Sequence, residues 1–309
     1  MKRAAPALGA LGMALALATR FALGAGLSPI PVLGIAFLAI AAIIAAMAGF
    51  ARSETPFARL ATPVLFGFLL LWLWEIAVIS FQIPFVLLPP PTLIARAFVS
   101  HPALLAGDFA QTYLHAVVIG YVLGSGTGFL AGLAIDRSLF LKRGLLPMGN
   151  LVSAMPIVGI APIMVMWFGF DWPSKAAVVL VMTFFPMLVN TTAGLAEAGA
   201  MERDVMQCYA AGYWPTLIKL RLPAALPHIF TALKLNSTLA LIGAVVAEFF
   251  GTPIMGMGFR ISTEAAKMNL DLVWATITVA ALAGSASFGA LALLERLVTF
   301  WHPSFRGLK

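Results

Sequence analysis

The sequence predicts an all-α polytopic membrane protein with about eight transmembrane helices, and three observations predict it. Hydrophobic residues fill 61% of the 309 positions and charged residues only 10%, whereas a soluble domain carries roughly 25% charged residues. Eight segments approach the length of about 20 mostly apolar residues that crosses a bilayer: 6–26, 30–50, 62–81, 112–135, 145–169, 176–196, 228–250 and 272–297. The 19 cations also sort by side. With the N-terminus inside, thirteen (Lys2, Arg3, Arg52, Arg59, Arg137, Lys142, Arg143, Arg203, Lys219, Arg221, Arg296, Arg306, Lys309) face the cytoplasm. Four (Arg96, Lys175, Arg260, Lys267) fall outside, and Arg20 and Lys234 lie within apolar segments. Retention of cations on the cytoplasmic side therefore places both termini there and accounts for the net charge of +7 without a nucleic-acid partner.

The elements follow in order. Lys2, Arg3 and the apolar run to Thr19 resemble a signal peptide, but a second apolar run follows so closely that the first is read as a retained helix. Gly24 to Pro31 suits a tight hairpin, and Arg52 to Arg59 is a polar link. Leu87 to Ala106 opens Leu-Leu-Pro-Pro-Pro-Thr and then reads as an amphipathic helix at the outer surface. Pro253 to Asp271 reads similarly, with Gly256 and Gly258 at its start. Gly120, Gly124, Gly128 and Gly132 recur at GxxxG spacing, which suits close helix packing in lipid. Pro147, Pro156 and Pro162 break the fifth segment and Pro186 the sixth, bends that suit a path. Trp167, Phe168 and Trp172 form an interfacial aromatic anchor.

Chemistry-bearing patterns are sparse. There is no GxxxxGK[ST] phosphate loop, no HExxH or other metal spacing and no identifiable nucleophile triad, so an enzyme is not expected. The lone Cys208 excludes an internal disulfide and reads as a small packing residue. Polar residues inside the apolar segments are functional candidates by default. Glu248 and Glu75 either face a path or gate, or are paired or snorkelling. Asn190 with Thr191 and Thr192, and Asn236 with Ser237 and Thr238, either hydrogen-bond between helices or line a path. Paired charges at mid-membrane and an inverted repeat, the marks of a secondary transporter, are not found in the sequence.

The stretch Met201 to Pro227 stands apart, because Glu202, Arg203, Asp204, Lys219 and Arg221 exclude it from hydrocarbon. It reads as a short helix with Met201, Val205 and Cys208/Tyr209 on one face, a break at Ala211-Gly212, and a second short helix begun by Pro215 and stopped by Pro223. An amphipathic helix–turn–helix at a membrane surface is a docking element.

This stretch resembles the cytoplasmic signature loop of binding-protein-dependent ABC importer permeases: EAA, three residues, Gly, nine residues, Ile, any residue, Leu-Pro. Aligned on Leu222-Pro223, the Ile position is Leu220, the Gly position Ala210, and the EAA positions Asp204, Val205 and Met206. Gly212 supplies the break that Ala210 does not. Leu87-Leu-Pro-Pro-Pro-Thr, Ala154-Met-Pro-Ile, Trp167-Phe-Gly, Phe184-Phe-Pro with Asn190-Thr, and Glu248 before Gly256-Met-Gly follow the layout of the subfamily importing sulfonates, taurine, nitrate and thiamine-precursor pyrimidines. Lys219 to Pro227 and Ala247 to Gly251 look closest to its pyrimidine or riboflavin members. The resemblance covers about residues 62–300.

It implies a type I core of six helices preceded by two extra ones: residues 1–60 as two N-terminal helices, 61–106 as the first core helix and outer segment, 107–297 as the ABC transmembrane domain with its coupling loop at 197–227, and 298–309 as a cytoplasmic tail. It also implies a multi-pass protein of the bacterial inner membrane with no cofactor of its own, ATP being bound by a partner. That ATP-binding subunit would dock on Asp204, Val205, Met206, Ala210, Gly212, Leu220, Leu222 and Pro223. A periplasmic solute-binding protein and a second permease copy complete the implied assembly, and Glu248, Asn190 and Asn236 become candidates for the path or gate.

Overall fold

The computed structural model describes residues 4–24, 29–53, 55–153, 155–251 and 254–301. Lys2, Arg3, the centre of the Gly24–Pro31 turn, Ala154, Pro253, Arg306, Lys309 and most of the 298–309 tail lie outside the described residues. Every regular element among those described is helical, and seven helices are long and apolar enough to cross a membrane. The eighth expected segment, 145–169, is two short helices, Leu139–Ser153 and Ile157–Phe168. The second, at about 1.5 Å per residue, reaches about 18 Å and does not span a core of about 30 Å. Pro156 holds the extended backbone before it (ψ 128°), as a residue with a fixed φ and no N–H does at a helix start.

The chain divides into two compact units, residues 1–100 with 268–272, and residues 101–267 with 273–309. In the first, α1 (Ala5–Gly24), α2 (Pro29–Ala51) and α3 (Pro56–Ser80) pack through small residues. Ala16, Ala39, Ile43 and Ala46 are wholly buried between them, and a Cβ on Gly12 would lie 2.6 Å from the Ile43 side chain. Polar groups fix α1 on α3. Trp72 Nε1 donates to the Ala16 carbonyl (2.9 Å), and Arg20 Nε lies 2.9 Å from Glu75 Oε1. Glu75 also accepts from the N–H and hydroxyl of Thr92, at the start of α4 (Pro91–Ser100). Two of the ionisable groups that the sequence leaves in apolar segments thus neutralise one another.

The second unit is built around α9 (Trp172–Ala196). On one side lies a 36-residue helix, Pro102–Arg137, made of α5 (Pro102–Phe109), a π-helical turn (Ala110–Val117) and α6 (Val118–Arg137). Its buried face is a strip recurring every four residues: Asp108, Thr112, Ala116, Gly120, Gly124, Gly128, Gly132. A four-residue repeat overshoots the helical turn by about 40°, so the strip winds slowly about α6; the wider π turn takes back part of that drift at the outset. The glycines admit the α9 backbone, with the Ala176 carbonyl 2.6 Å from where a Cβ of Gly120 would sit. This is the GxxxG packing expected from the sequence.

On the other side of α9 runs a second 36-residue helix, Tyr213–Glu248, made of α11 (Tyr213–Thr216), a π turn (Leu217–Arg221) and α12 (Leu222–Glu248). Ala225, Ala232, Ala240, Ala244 and Ala247 are its buried small face. Here α7 (Leu139–Ser153) and α8 (Ile157–Phe168) are the two short helices above, and Ala161 of α8 packs with Val178 and Ala247. The last helices are α13 (Met257–Ala266) and α14 (Leu270–Val298). From α14, Ser287 hydrogen-bonds Tyr113 and Glu295 pairs with Lys234 of α12 at 2.6 Å. The Lys234–Glu295 pair joins α12 to the last turns of α14, and the sequence did not mark it because its members lie 61 residues apart. Large apolar side chains such as Phe21 (79% exposed) and Phe37 (71%) cover the outside, a surface suited to lipid rather than water.

Candidate functional site

The signature stretch forms α10 (Ala200–Cys208), in which no residue is buried. Asp204 and Val205 are exposed and Met206 is half-buried. Met201 (78%), Val205 (48%) and Tyr209 (81%) make an exposed apolar stripe at i, i+4 and i+8, the spacing of a helix that lies in a partner's groove. Arg203 donates to the carbonyls of Ala198 (2.8 Å) and Ala196 (3.1 Å) at the end of α9. Its guanidinium is therefore tied back to the end of α9, while the carboxylates of Glu202 and Asp204 outnumber it beside the stripe. Helices that lie on lipid are basic on their polar face, so this acidic one suits a protein partner.

The turn after α10 corrects one reading. Gly212 was expected to supply the bend, but its φ is −69° and its ψ −179°, ordinary extended backbone. The left-handed residue is Ala210, with φ 53°. The Ala210 N–H donates to the Gln207 carbonyl (2.8 Å) and the Ala211 N–H to that of Met206 (2.9 Å), the two bonds of a Schellman cap. The signature's glycine position is thus where the conformation needs glycine, and alanine occupies it at a cost of about 1–2 kcal/mol. Ala210→Gly should stabilise the purified chain by about 1 kcal/mol in denaturant titrations; destabilisation would contradict the left-handed assignment.

Pro223 does not stop the second helix, which was the other expectation. It supplies no N–H to the Lys219 carbonyl, and the π turn at Leu217–Arg221 falls there, re-registering the ladder so that the helix continues. Leu220, Leu222 and Pro223 are half-buried beside this turn.

Asp136, at the end of α6, anchors the element. Its carboxylate accepts from both terminal nitrogens of Arg221 (2.7 and 2.6 Å) and from the Tyr213 hydroxyl (3.0 Å). Arg221 Nε donates to the Leu195 carbonyl of α9 (3.1 Å), so one guanidinium joins three helices. Arg137 lies over the Tyr213 and Trp214 rings, 5.7 and 5.9 Å from their centroids. Sequence reasoning missed Asp136. The signal was present, since Asp108 and Asp136 continue the four-residue glycine strip at its two ends.

Asp108 belongs to a second cluster, at the far end of the same helices. Glu248 is 3% exposed and accepts from the Thr112 hydroxyl (2.7 Å) and the Gly258 N–H (2.6 Å). Thr112 in turn accepts from the Met257 N–H (2.7 Å). Asp108 accepts from the Gly256 N–H (2.8 Å) and from Arg260 Nε (2.7 Å), and this bond raises the guanidinium pKa further. The expected glycine pair at the start of α13 is therefore held by two buried carboxylates. Gly256, at φ 138°, and Gly258 leave no room for a Cβ against the Glu248 side chain. Lys175, wholly buried, donates to the carbonyls of Phe170 (2.5 Å), Asp171 (3.3 Å) and Gly251. The Asp171 carboxyl, bonded by the Trp172 N–H and then by Gln111, titrates below its ordinary range.

The other candidates are placed apart from these clusters. Asn236, fully buried in α12, donates to Ser125 Oγ of α6 (3.0 Å) and to the Thr183 carbonyl of α9 (2.7 Å). Asn190, half-buried, donates back to the Pro186 carbonyl within α9 (2.8 Å). Among the described residues, no hydrogen-bond network joins Glu248, Asn190 and Asn236.

Comparison with known proteins agrees with this architecture. The family described as "Binding-protein-dependent transport system inner membrane component" matches residues 120–300. The chain is 29% identical over 240 residues to the formylaminopyrimidine transport permease protein ThiX of Halalkalibacterium halodurans, covering 78% of this chain and 95% of the relative. It is 29% identical over 223 residues to the putative aliphatic sulfonates transport permease protein SsuC of Bacillus subtilis (71% and 80%). To the riboflavin transport system permease protein RibX of Chloroflexus aurantiacus it is 28% identical over 239 residues (76% and 88%). An all-α bundle with an exposed signature helix and a match over most of the second unit identify the chain as a member of the binding-protein-dependent inner membrane component family, the permeases of ABC transporters.

Proposed function

We propose that this chain is the membrane path of an ABC importer for a small polar or heterocyclic solute, coupled to ATP hydrolysis by a separate subunit that docks on α10. The observation that carries the reading is the exposed stripe Met201–Val205–Tyr209 on a helix tied to the end of α9 by Arg203 and followed by a segment that Arg221 ties to α6 and α9. A helix anchored on both flanks in this way transmits displacement, and an exposed apolar stripe beside acidic residues needs a protein groove. On this reading α10 and both termini face the cytoplasm, as the cation distribution requires. A solute-binding protein delivers at the α13 end, and a second copy completes the path. Relatives named for a pyrimidine, a flavin and a sulfonate are 28–29% identical, so the solute class spans heterocycles and small oxyanions, with the Lys219–Pro227 run favouring the heterocycles.

The test is affinity purification from the native host, followed by ATPase assay. The reading expects an ATP-binding subunit to co-purify. Asp204→Trp and Gly212→Trp should each abolish ATPase coupling while leaving the chain inserted. Gly212 is exposed, with nothing within 4 Å of an added Cβ, so loss there reports docking rather than folding. Normal coupling in both variants would remove the assignment. The Lys234–Glu295 pair, ionisable groups between two apolar helices, favours a second reading, an ATP-independent transporter; uptake that persists in cells lacking the ATPase would select it.

A further inference from the structure

The helices Pro102–Arg137 and Tyr213–Glu248 are each 36 residues long, about 54 Å at 1.5 Å per residue. They flank α9 and run antiparallel, since their partners pair in opposite order: Thr112 with Glu248, Ser125 with Asn236, Asp136 with Arg221. Each end is closed by a carboxylate cluster. At one end Glu248 and Asp108 hold the backbone that begins α13. At the other, Asp136 holds the backbone that follows α10 through Arg221 and Tyr213. Both ends also carry a π turn, Ala110–Val117 and Leu217–Arg221, a deviation concentrated at functional positions.

These contacts set how a push on α10 is transmitted. A loop joined only by backbone would absorb it. Here the Arg221 guanidinium is bonded along two of its edges, to the last turn of α9 and by a fork to Asp136. A paired fork resists both translation and rotation. If stability were the sole requirement, apolar residues of similar volume would serve as well as a half-buried ion pair.

We propose that Asp136 is a positioning residue for transport: it locks the coupling element to α5–α6, so that displacement of α10 arrives at the α13 end as a rigid-body movement. This rests on the reading of α10 as the ATPase docking helix.

The experiment uses the complex with its ATP-binding subunit in lipid nanodiscs. Cys208 is replaced by Ser, a cysteine is placed at Ser262, exposed on α13, and maleimide labelling is timed with and without ATP plus vanadate. The unsubstituted background should show a nucleotide-dependent change in rate of about fivefold, the low end of ordinary allosteric coupling. Asp136→Asn should keep co-purification and basal ATPase activity but lose the response. Tyr213→Phe, a milder loss of one donor, should weaken it, and the exchange Asp136→Arg with Arg221→Asp should restore it. A response of unchanged size in Asp136→Asn and Tyr213→Phe, or none in the background, overturns the proposal while docking stands. Failure of the unsubstituted chain to co-purify with any ATPase overturns the docking reading, and this proposal with it.

Discussion

Gly124→Val is expected to abolish the folded chain, whereas Gly126→Val, two residues away, is expected to be tolerated. A Cβ at Gly124 would collide with the Thr183 hydroxyl and lie 2.6 Å from the Leu180 carbonyl oxygen and 2.9 Å from the Leu180 Cα. Those atoms are backbone of α9, which is held on its other side by α12, so no side-chain rotation relieves the contact. The helices must separate, and Gly120, Gly128 and Gly132 lose their packing with them. A penalty beyond about 4 kcal/mol follows, in the range that only overpacking, buried charge or lost networks produce. Gly126 has nothing within 4 Å of an added Cβ. Yield and thermal unfolding of the two variants in detergent check this; equal behaviour would mean that the glycine strip does not face α9.

The second large effect is at Glu248. Glu248→Ala should destabilise the chain by about 3 kcal/mol, because a buried N–H and a buried hydroxyl both lose their acceptor. The released groups are the Gly258 N–H and the Thr112 hydroxyl, so the start of α13 should loosen first, visible as faster amide exchange at residues 256–258. Glu248→Gln keeps an acceptor and should lose roughly half as much. A Glu248→Ala chain of unchanged stability that no longer transports would return this residue to the path or gate.

Much of the fold was legible in the sequence because membrane helices announce themselves by length and apolarity, and close-packed ones by small residues at a fixed spacing. Gly120 to Gly132 marked α6 as a close-packed helix, though not α9 as the helix it packs against. The broken fifth segment was legible in its prolines, though not its division into two pieces at Pro156. What the sequence concealed was pairing. Arg20 with Glu75, Lys234 with Glu295 and Asp136 with Arg221 are separated by 55, 61 and 85 residues, and nothing local marks one charge as another's partner. The bend after α10 was misread for a related reason: glycine's freedom drew attention to Gly212, while hydrogen bonds of the helix end placed the left-handed residue at Ala210. Polar residues in apolar segments drew equal attention from the sequence, yet Asn236 binds neighbouring helices, Asn190 binds its own, and Glu248 holds a loop.

The central claim, that α10 is the face presented to an ATP-binding subunit, is tested most directly at the chain's own cysteine. Cys208 is the one cysteine in the sequence, and it is exposed at the end of α10. A benzophenone maleimide attached there in native membranes and photolysed should give one dominant adduct, with an ATP-binding subunit, lost when Asp204 is replaced by Trp. Adducts confined to lipid or to other membrane proteins, with no ATP-binding subunit among them, would contradict it.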